Sequence, residues 1–193
     1  MPYDLAHHPV KDTITLLTGL MDKITVTNDR LLGNAGPRSR FHARAIPSID
    51  IESYLLRILK YCPCPNACFL SVLVYFDRMA QNDTQLRLDS YNIHRLVLCG
   101  VMLACKFFCD LFYTNARYAK VGGLTVQELN LLELDFLRMN GFVLNVRVEE
   151  LQKYGDQLLR HHLRHVHTPF HRLPTPPPDE KDTTITTTNT TTT

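Results

Sequence analysis

Thiols, imidazoles and a few isolated charges are the groups in this chain with chemistry to offer. Its 193 residues include six cysteines and nine histidines. Cys62, Cys64 and Cys68 form C-x-C-x-x-x-C. A structural zinc site is normally built from two spaced pairs of ligands. The spacing here does not match that pattern, and prolines alternate with two of the cysteines. Cys99, Cys105 and Cys109 lie in or beside an apolar helical run. This usage fits reduced, buried thiols in an intracellular protein better than a disulfide framework. His161 and His165 have the i, i+4 spacing of a helical ligand pair, with His162 and His167 beside them. Cations also favour a helix C-terminus with no ligand role. The reading taken is buried thiols and helix-end cations, with no metal and no cofactor.

Catalytic groups are scarce. The chain has no G-x-S-x-G, no glycine-rich phosphate loop and no H-E-x-x-H. Glu128, Glu133 and Asp135 share one helical pattern, but Glu133 and Asp135 are two apart and point to different faces. Nothing here reads as an enzyme. Arg38, Arg40, His42 and Arg44 cluster in a loop, where a solvated surface is the default and an acidic partner the sharper option. The net charge is only +2, so neither nucleic acid nor membrane is expected as a partner.

Two charges are oddly placed. The unbroken apolar run Leu96 to Cys105 is too short to span a bilayer, which needs about 20 residues. It reads as a buried helix, and Lys106 ends it. A buried unpaired cation is costly, so this amine needs water or an acceptor. Glu133 sits inside the leucine-rich stretch ELNLLELDFL. Either Lys106 lays its stem over the core and Glu133 is ordinary surface, or both present hydrogen-bonding groups to a partner helix. Phe107, Phe108, Tyr113, Leu129, Leu132 and Phe136 around them are either core or docking surface. Asp77 follows another apolar run, and Arg57 is its nearest candidate partner in sequence, giving an internal strut.

The elements that must position these groups are all helical. Val10, Ile14, Leu17, Met21 and Ile24 form one stripe over about residues 10–31. A loop rich in Gly, Pro and Arg follows. Ser48 is placed as N-cap of a second helix, with Asp50 and Glu52 in its first turn. The Pro63 to Pro65 segment separates it from a third, about Asn66 to Met79, apolar nearly all round. Asp89 or Ser90 caps the central helix, about Ser90 to Asp110. Gly122 and Gly123 mark a helix stop. Thr125 and Glu128 then fit a capping box, and Gly141 ends that helix. A last amphipathic helix covers about Val148 to Arg164, and the Pro/Thr-rich residues from 166 read as a disordered tail. The N-terminus shows no apolar secretory core.

Several of these residues fall in an ordered set: Y-x-D-R at Tyr75, N-x-H-R at Asn92, A-x-K-F at Ala104, Y-A-K-V-G-G at Tyr118, and E-L-N-x-L-E-x-x-F-L at Glu128. From Phe41 to about Val146 the chain resembles the cyclin family, and most nearly the P/U, or phosphate-regulon, type. The resemblance implies an all-α fold with a single five-helix cyclin box at residues 48–165, an added N-terminal helix and loop at 1–47, and a tail at 166–193. It implies a non-catalytic subunit that pairs with a cyclin-dependent serine/threonine kinase, in the nucleus or cytoplasm, and activates it by holding the kinase C-helix in place. Lys106 and Glu133 match the family's kinase-contacting pair. Phe108, Leu129, Leu132 and Phe136 are expected as apolar contacts beside them. Arg57 and Asp77 match an internal ion pair. The N-terminal helix is expected to pack on the box; the alternative is that it extends the kinase interface. The family's substrate-docking motif MRAIL is absent, the matching stretch reading YLLRIL, and a second box is not expected. A cyclin-box scaffold for other partners is the competing class, though such relatives carry two boxes and strongly basic faces.

Overall fold

A computed structural model describes residues 2–32, 39–83 and 86–166. Those residues form seven helices: α1 Val10–Leu32, α2 Ile51–Tyr61, α3 Asn66–Asn82, α4 Ile93–Phe108, α5 Asn115–Gly122, α6 Val126–Met139 and α7 Val148–Val166. No strand occurs among them. No described helix is long and apolar enough to cross a membrane. The expected disordered tail lies outside the described residues.

α4 is the axis of the fold. Of its residues, Ile93, His94 and everything from Leu96 to Cys105 are buried. Helices α2, α3, α5 and α6 pack around it. A helix that is apolar all round is stable in water only when enclosed this way. Each large aliphatic side chain so buried contributes roughly 1.5–3 kcal/mol. α3 is its main neighbour and is likewise buried from Cys68 to Phe76.

The helix starts follow local chemistry. Asp50, rather than Ser48, caps α2, its carboxylate accepting from Ser53 N at 2.7 Å. Asp89 accepts from Tyr91 N and Asn92 N and turns the chain into α4. Thr125 accepts from Glu128 N at 3.1 Å to start α6. The capping box is only half made, because the Glu128 carboxylate pairs with Arg95 at 2.7 Å.

Among the described residues six helices lie between Ile51 and Val166, and α5 is the one that no apolar stripe in the sequence marks. The double glycine does end a helix, but that helix had no long apolar stripe to announce it. Gly123 takes the left-handed φ of +71° that closes a helix, and a Cβ on Gly122 would lie 2.3 Å from Leu98 Cδ2.

α1 packs on the box, against α2, α3 and α7. Polar clamps hold it. Thr13 donates to Asn66 Oδ1 at 2.8 Å and shares a 2.6 Å bond with Tyr3 Oη, while Asn66 donates to His8 O at 2.6 Å. At the far end Asp29 accepts from Ser90 Oγ at 2.6 Å. These buried amide and hydroxyl groups are satisfied only in this arrangement, which fixes where α1 sits.

His94 supplies a pH-dependent element. Its ring is buried edge-to-face on Tyr54, and Nε2–H donates to Ile49 O at 2.8 Å. Nδ1 has no partner, so a second ring proton would be stranded. Burial therefore holds the imidazole below its ordinary value, outweighing Asp50 and Asp22, which favour the charged ring. The unfolded chain takes up this proton first as pH falls. The contribution is thus intact above about 6.5 and is lost as pH drops toward the depressed folded value. The melting temperature is expected to fall between about pH 7.5 and about pH 5.5, and His94→Gln is expected to flatten part of that fall. Parallel curves for the two proteins would remove His94 from this role.

Candidate partner-docking site

α4 reaches the surface in its last turn, and Lys106 stands there. Its Nζ donates to Glu133 Oε1 at 2.6 Å and to Asn115 Oδ1 at 2.5 Å. Asn115 in turn donates through Nδ2 to Glu133 Oε2 at 2.6 Å and to Asn130 Oδ1 at 2.7 Å. Three helices meet in this network: α4 brings the amine, α6 the carboxylate, and the first residue of α5 the bridging amide. Thr114 fixes that amide by capping α5. The lysine and glutamate side chains are 25% and 18% exposed, so the pair is neither sealed nor free. An ammonium has three donors. Two are used internally, and one is left for an acceptor from outside.

The sequence reading takes Lys106 and Glu133 as companion charges at the rim of the core, with their acceptors expected on a partner helix. In the folded chain they satisfy each other. Asn115 was missed; the signal was its position just after a threonine N-cap, fifteen residues before Asn130.

The expected apolar contacts need correction. Leu129, Leu132 and Phe136 are buried, at 0%, 1% and 0% exposure. Their i, i+3, i+7 spacing puts them on the inner face of α6, with the Phe136 ring 6.0 Å from that of Tyr75 and 6.3 Å from that of Phe41. They are core. Phe108 is half-buried, edge-to-face on Phe107. The accessible large apolar side chains of the two helices and the segment after α4 are Phe107, Leu111, Phe112, Val126, Leu131 and Leu134, with Val126 at the far, N-terminal end of α6. Leu111 is 92% exposed.

Nor do Arg57 and Asp77 form a strut. Asp77 accepts from the Tyr154 hydroxyl of α7 at 2.5 Å. Arg57 is exposed and lines a groove between α2 and α5 with Lys60, Arg117 and Lys120. Ile51, Tyr54, Leu55 and Ile58 make the buried stripe of α2, and Arg57 falls outside it. The bracing role belongs to other arginines. Arg95 donates to Arg40 O at 3.0 Å and pairs with Glu128, joining the loop before α2 to α6. Arg78 donates to Val143 O and Asn145 O and pairs with Glu150, holding the α6–α7 connector. In the basic loop, Arg40 pairs with Asp135 and His42 with Asp89, each within 3.2 Å; Arg38 lies outside the described residues.

The thiols also group differently from the C-x-C-x-x-x-C reading. The sulfurs of Cys64, Cys68 and Cys105 lie within 4.8 Å of one another. Cys109 Sγ is 3.8 Å from Cys68 Sγ. The overlooked signal was a second pair, Cys105 and Cys109, with the same i, i+4 spacing as Cys64 and Cys68. The His161–His165 pair cannot be placed, since the side chain of His165 lies outside the described residues.

Comparison with known proteins bears on what this surface is for. Residues 14–144 match the profile of the Cyclin family. The PHO85 cyclin-like protein psl1 of Schizosaccharomyces pombe is 53% identical over 120 residues, covering 62% of this chain and 49% of that one. PHO85 cyclin-7 of Saccharomyces cerevisiae is 39% identical over 180 residues, covering 81% and 63%. Cyclin-U4-2 of Arabidopsis thaliana is 43% identical over 152 residues, covering 77% and 70%. The chain belongs to the cyclin family and is of its P/U type. It spans about half of psl1 and just under two thirds of cyclin-7.

Core and surface on α6 separate in a simple experiment. Phe136→Ala is expected to lower the unfolding free energy by about 3–5 kcal/mol in urea titrations. Leu131→Ala is expected to change it by less than about 0.5 kcal/mol. Equal losses at the two positions would contradict the assignment of faces.

Proposed function

We propose that this chain is the non-catalytic regulatory subunit of a cyclin-dependent serine/threonine kinase, which it binds as a heterodimer and activates. The box at residues 48–165 carries the contact, and α1 braces it. The observation that carries this reading is the partly exposed Lys106–Glu133 pair, set beside accessible apolar side chains on two helices. The PHO85 cyclins among its relatives favour a PHO85-type kinase as the partner.

The mechanism follows from what a kinase lacks. Phosphoryl transfer needs an ion pair between the β3 lysine and a glutamate of the C-helix. A subunit that binds only the C-helix-in arrangement shifts the population toward it. Moving such an equilibrium from 1:99 to 99:1 takes about 5.5 kcal/mol of differential affinity. Burial of Phe107, Leu111, Phe112, Leu131 and Leu134 against a helix is of the right size, at roughly 1.5–3 kcal/mol gross for each side chain fully covered. Lys106 and Glu133 then supply direction. The spare amine proton meets a backbone carbonyl, and the carboxylate's free lone pairs meet backbone N–H groups. Because Asn115 holds both charges in place beforehand, little side-chain entropy is lost on docking.

The test is the pair of variants Lys106→Ala and Glu133→Ala combined in one chain. Co-purification with a cyclin-dependent kinase and stimulation of its activity are expected to be lost, with helical circular dichroism kept. Normal binding and activation by the folded double variant would sink the contact assignment.

A further inference from the structure

Two short chain segments bring four sulfurs to one place. Cys64 lies in the connector before α3 and Cys68 in the first turn of α3. Cys105 and Cys109 lie at the last turn and C-cap of α4. Each pair has i, i+4 spacing, with one cysteine inside a helix and its companion just beyond the helix end. From this geometry we infer that Cys64, Cys68, Cys105 and Cys109 form a thiolate site for one zinc ion, beside the docking surface but sharing no residue with it.

Distances fit the ion. A tetrahedral zinc with Zn–S near 2.3 Å sets its sulfurs roughly 3.8 Å apart. The Cys68–Cys109 separation is 3.8 Å, and Cys64, Cys68 and Cys105 are mutually within 4.8 Å. Cys109 stands outside that mutual group and touches it through Cys68, so its side chain must turn toward the other two sulfurs when the ion binds. All six cysteines are free thiols, and these contacts are far longer than the roughly 2.05 Å of a disulfide.

A second observation points the same way. The Tyr118 hydroxyl is fully buried and makes no conventional hydrogen bond. The Cys105 thiol is among its neighbours. A neutral thiol is a poor acceptor, and a metal-bound thiolate is a good one. A phenol donating to a ligand sulfur is the outer support that metal thiolates ordinarily have. Burial is graded as well: Cys68 and Cys105 are buried, while Cys64 and Cys109 are half-buried on the outer side and leave a way in. Four soft donors with no carboxylate select zinc over magnesium or calcium. On binding, each thiol loses its proton to solvent, giving a tetrathiolate with two net negative charges. The ion would clip the α2–α3 connector to the end of α4, next to Lys106.

The test uses the full chain purified under reducing conditions. Native mass spectrometry is expected to show one zinc per chain. Cobalt(II) added to metal-free protein is expected to give the intense visible bands of tetrahedral coordination and sulfur-to-cobalt charge transfer. Cys109→Ser, at a half-buried position that tolerates the change, is expected to weaken zinc binding at least tenfold. Cys99→Ala, outside the cluster, is expected to leave it unchanged. Absence of bound metal with no cobalt–sulfur band would overturn the site. So would equal loss in the Cys99 variant, or a mass two hydrogens lower that maps to a disulfide within the cluster.

Discussion

An ammonium group at the end of a fully buried helix must find acceptors where the helix surfaces. In this chain that demand is met by Glu133 and Asn115, and much of the fold serves to keep them there. α4 has no solvent face from Leu96 to Cys105, so its neighbours are forced to close round it. α6 is held by Leu129, Leu132 and Phe136, which leaves Glu133 at the edge of its buried face. α5 is short, yet it places Asn115 between the two charges. The network is therefore a product of core packing: shift any of the three helices and the bonds lengthen beyond use.

That dependence explains why the pair can be ready for a partner without being a large source of stability. An ion pair at this exposure is worth little to the fold. Its value lies in position. The apolar residues that are accessible near it, Phe107, Leu111, Phe112, Leu131 and Leu134, sit outside the stripe that builds the core. Energy from burial and direction from charge come from different residues of the same two helices and the segment between α4 and α5.

Much of this was legible in the sequence, and the failures have physical causes. The long helices were readable because their stripes are periodic and their ends are punctuated by Asp89, Thr125 and Gly141. Cap identity was less so: Ser48 and Asp50 are both good caps, and only the chain path decides for Asp50. α5 was passed over because eight residues with three buried side chains make too weak a pattern. Arg57 and Asp77 sit on consecutive helices, α2 and α3, but Asp77 turns toward α7 and Arg57 toward α5, and the direction a side chain takes from its helix is what order along the chain does not report. Leu129, Leu132 and Phe136 show the converse. Their spacing already marked one face of α6, and whether that face was inner or outer depended on α3 and α4. The second cysteine pair escaped notice because its partners are distant along the chain and only the packing of α3 on α4 brings them together.

The account turns on whether the Lys106–Asn115–Glu133 network is there for a partner or for the fold. A double-mutant cycle on Lys106 and Glu133, measured once in unfolding and once in kinase affinity, decides this directly. The account predicts a coupling of at most about 1 kcal/mol in unfolding. In kinase binding it predicts a loss of about 2–5 kcal/mol on truncating either charge. A large coupling in unfolding with unchanged kinase affinity would contradict it.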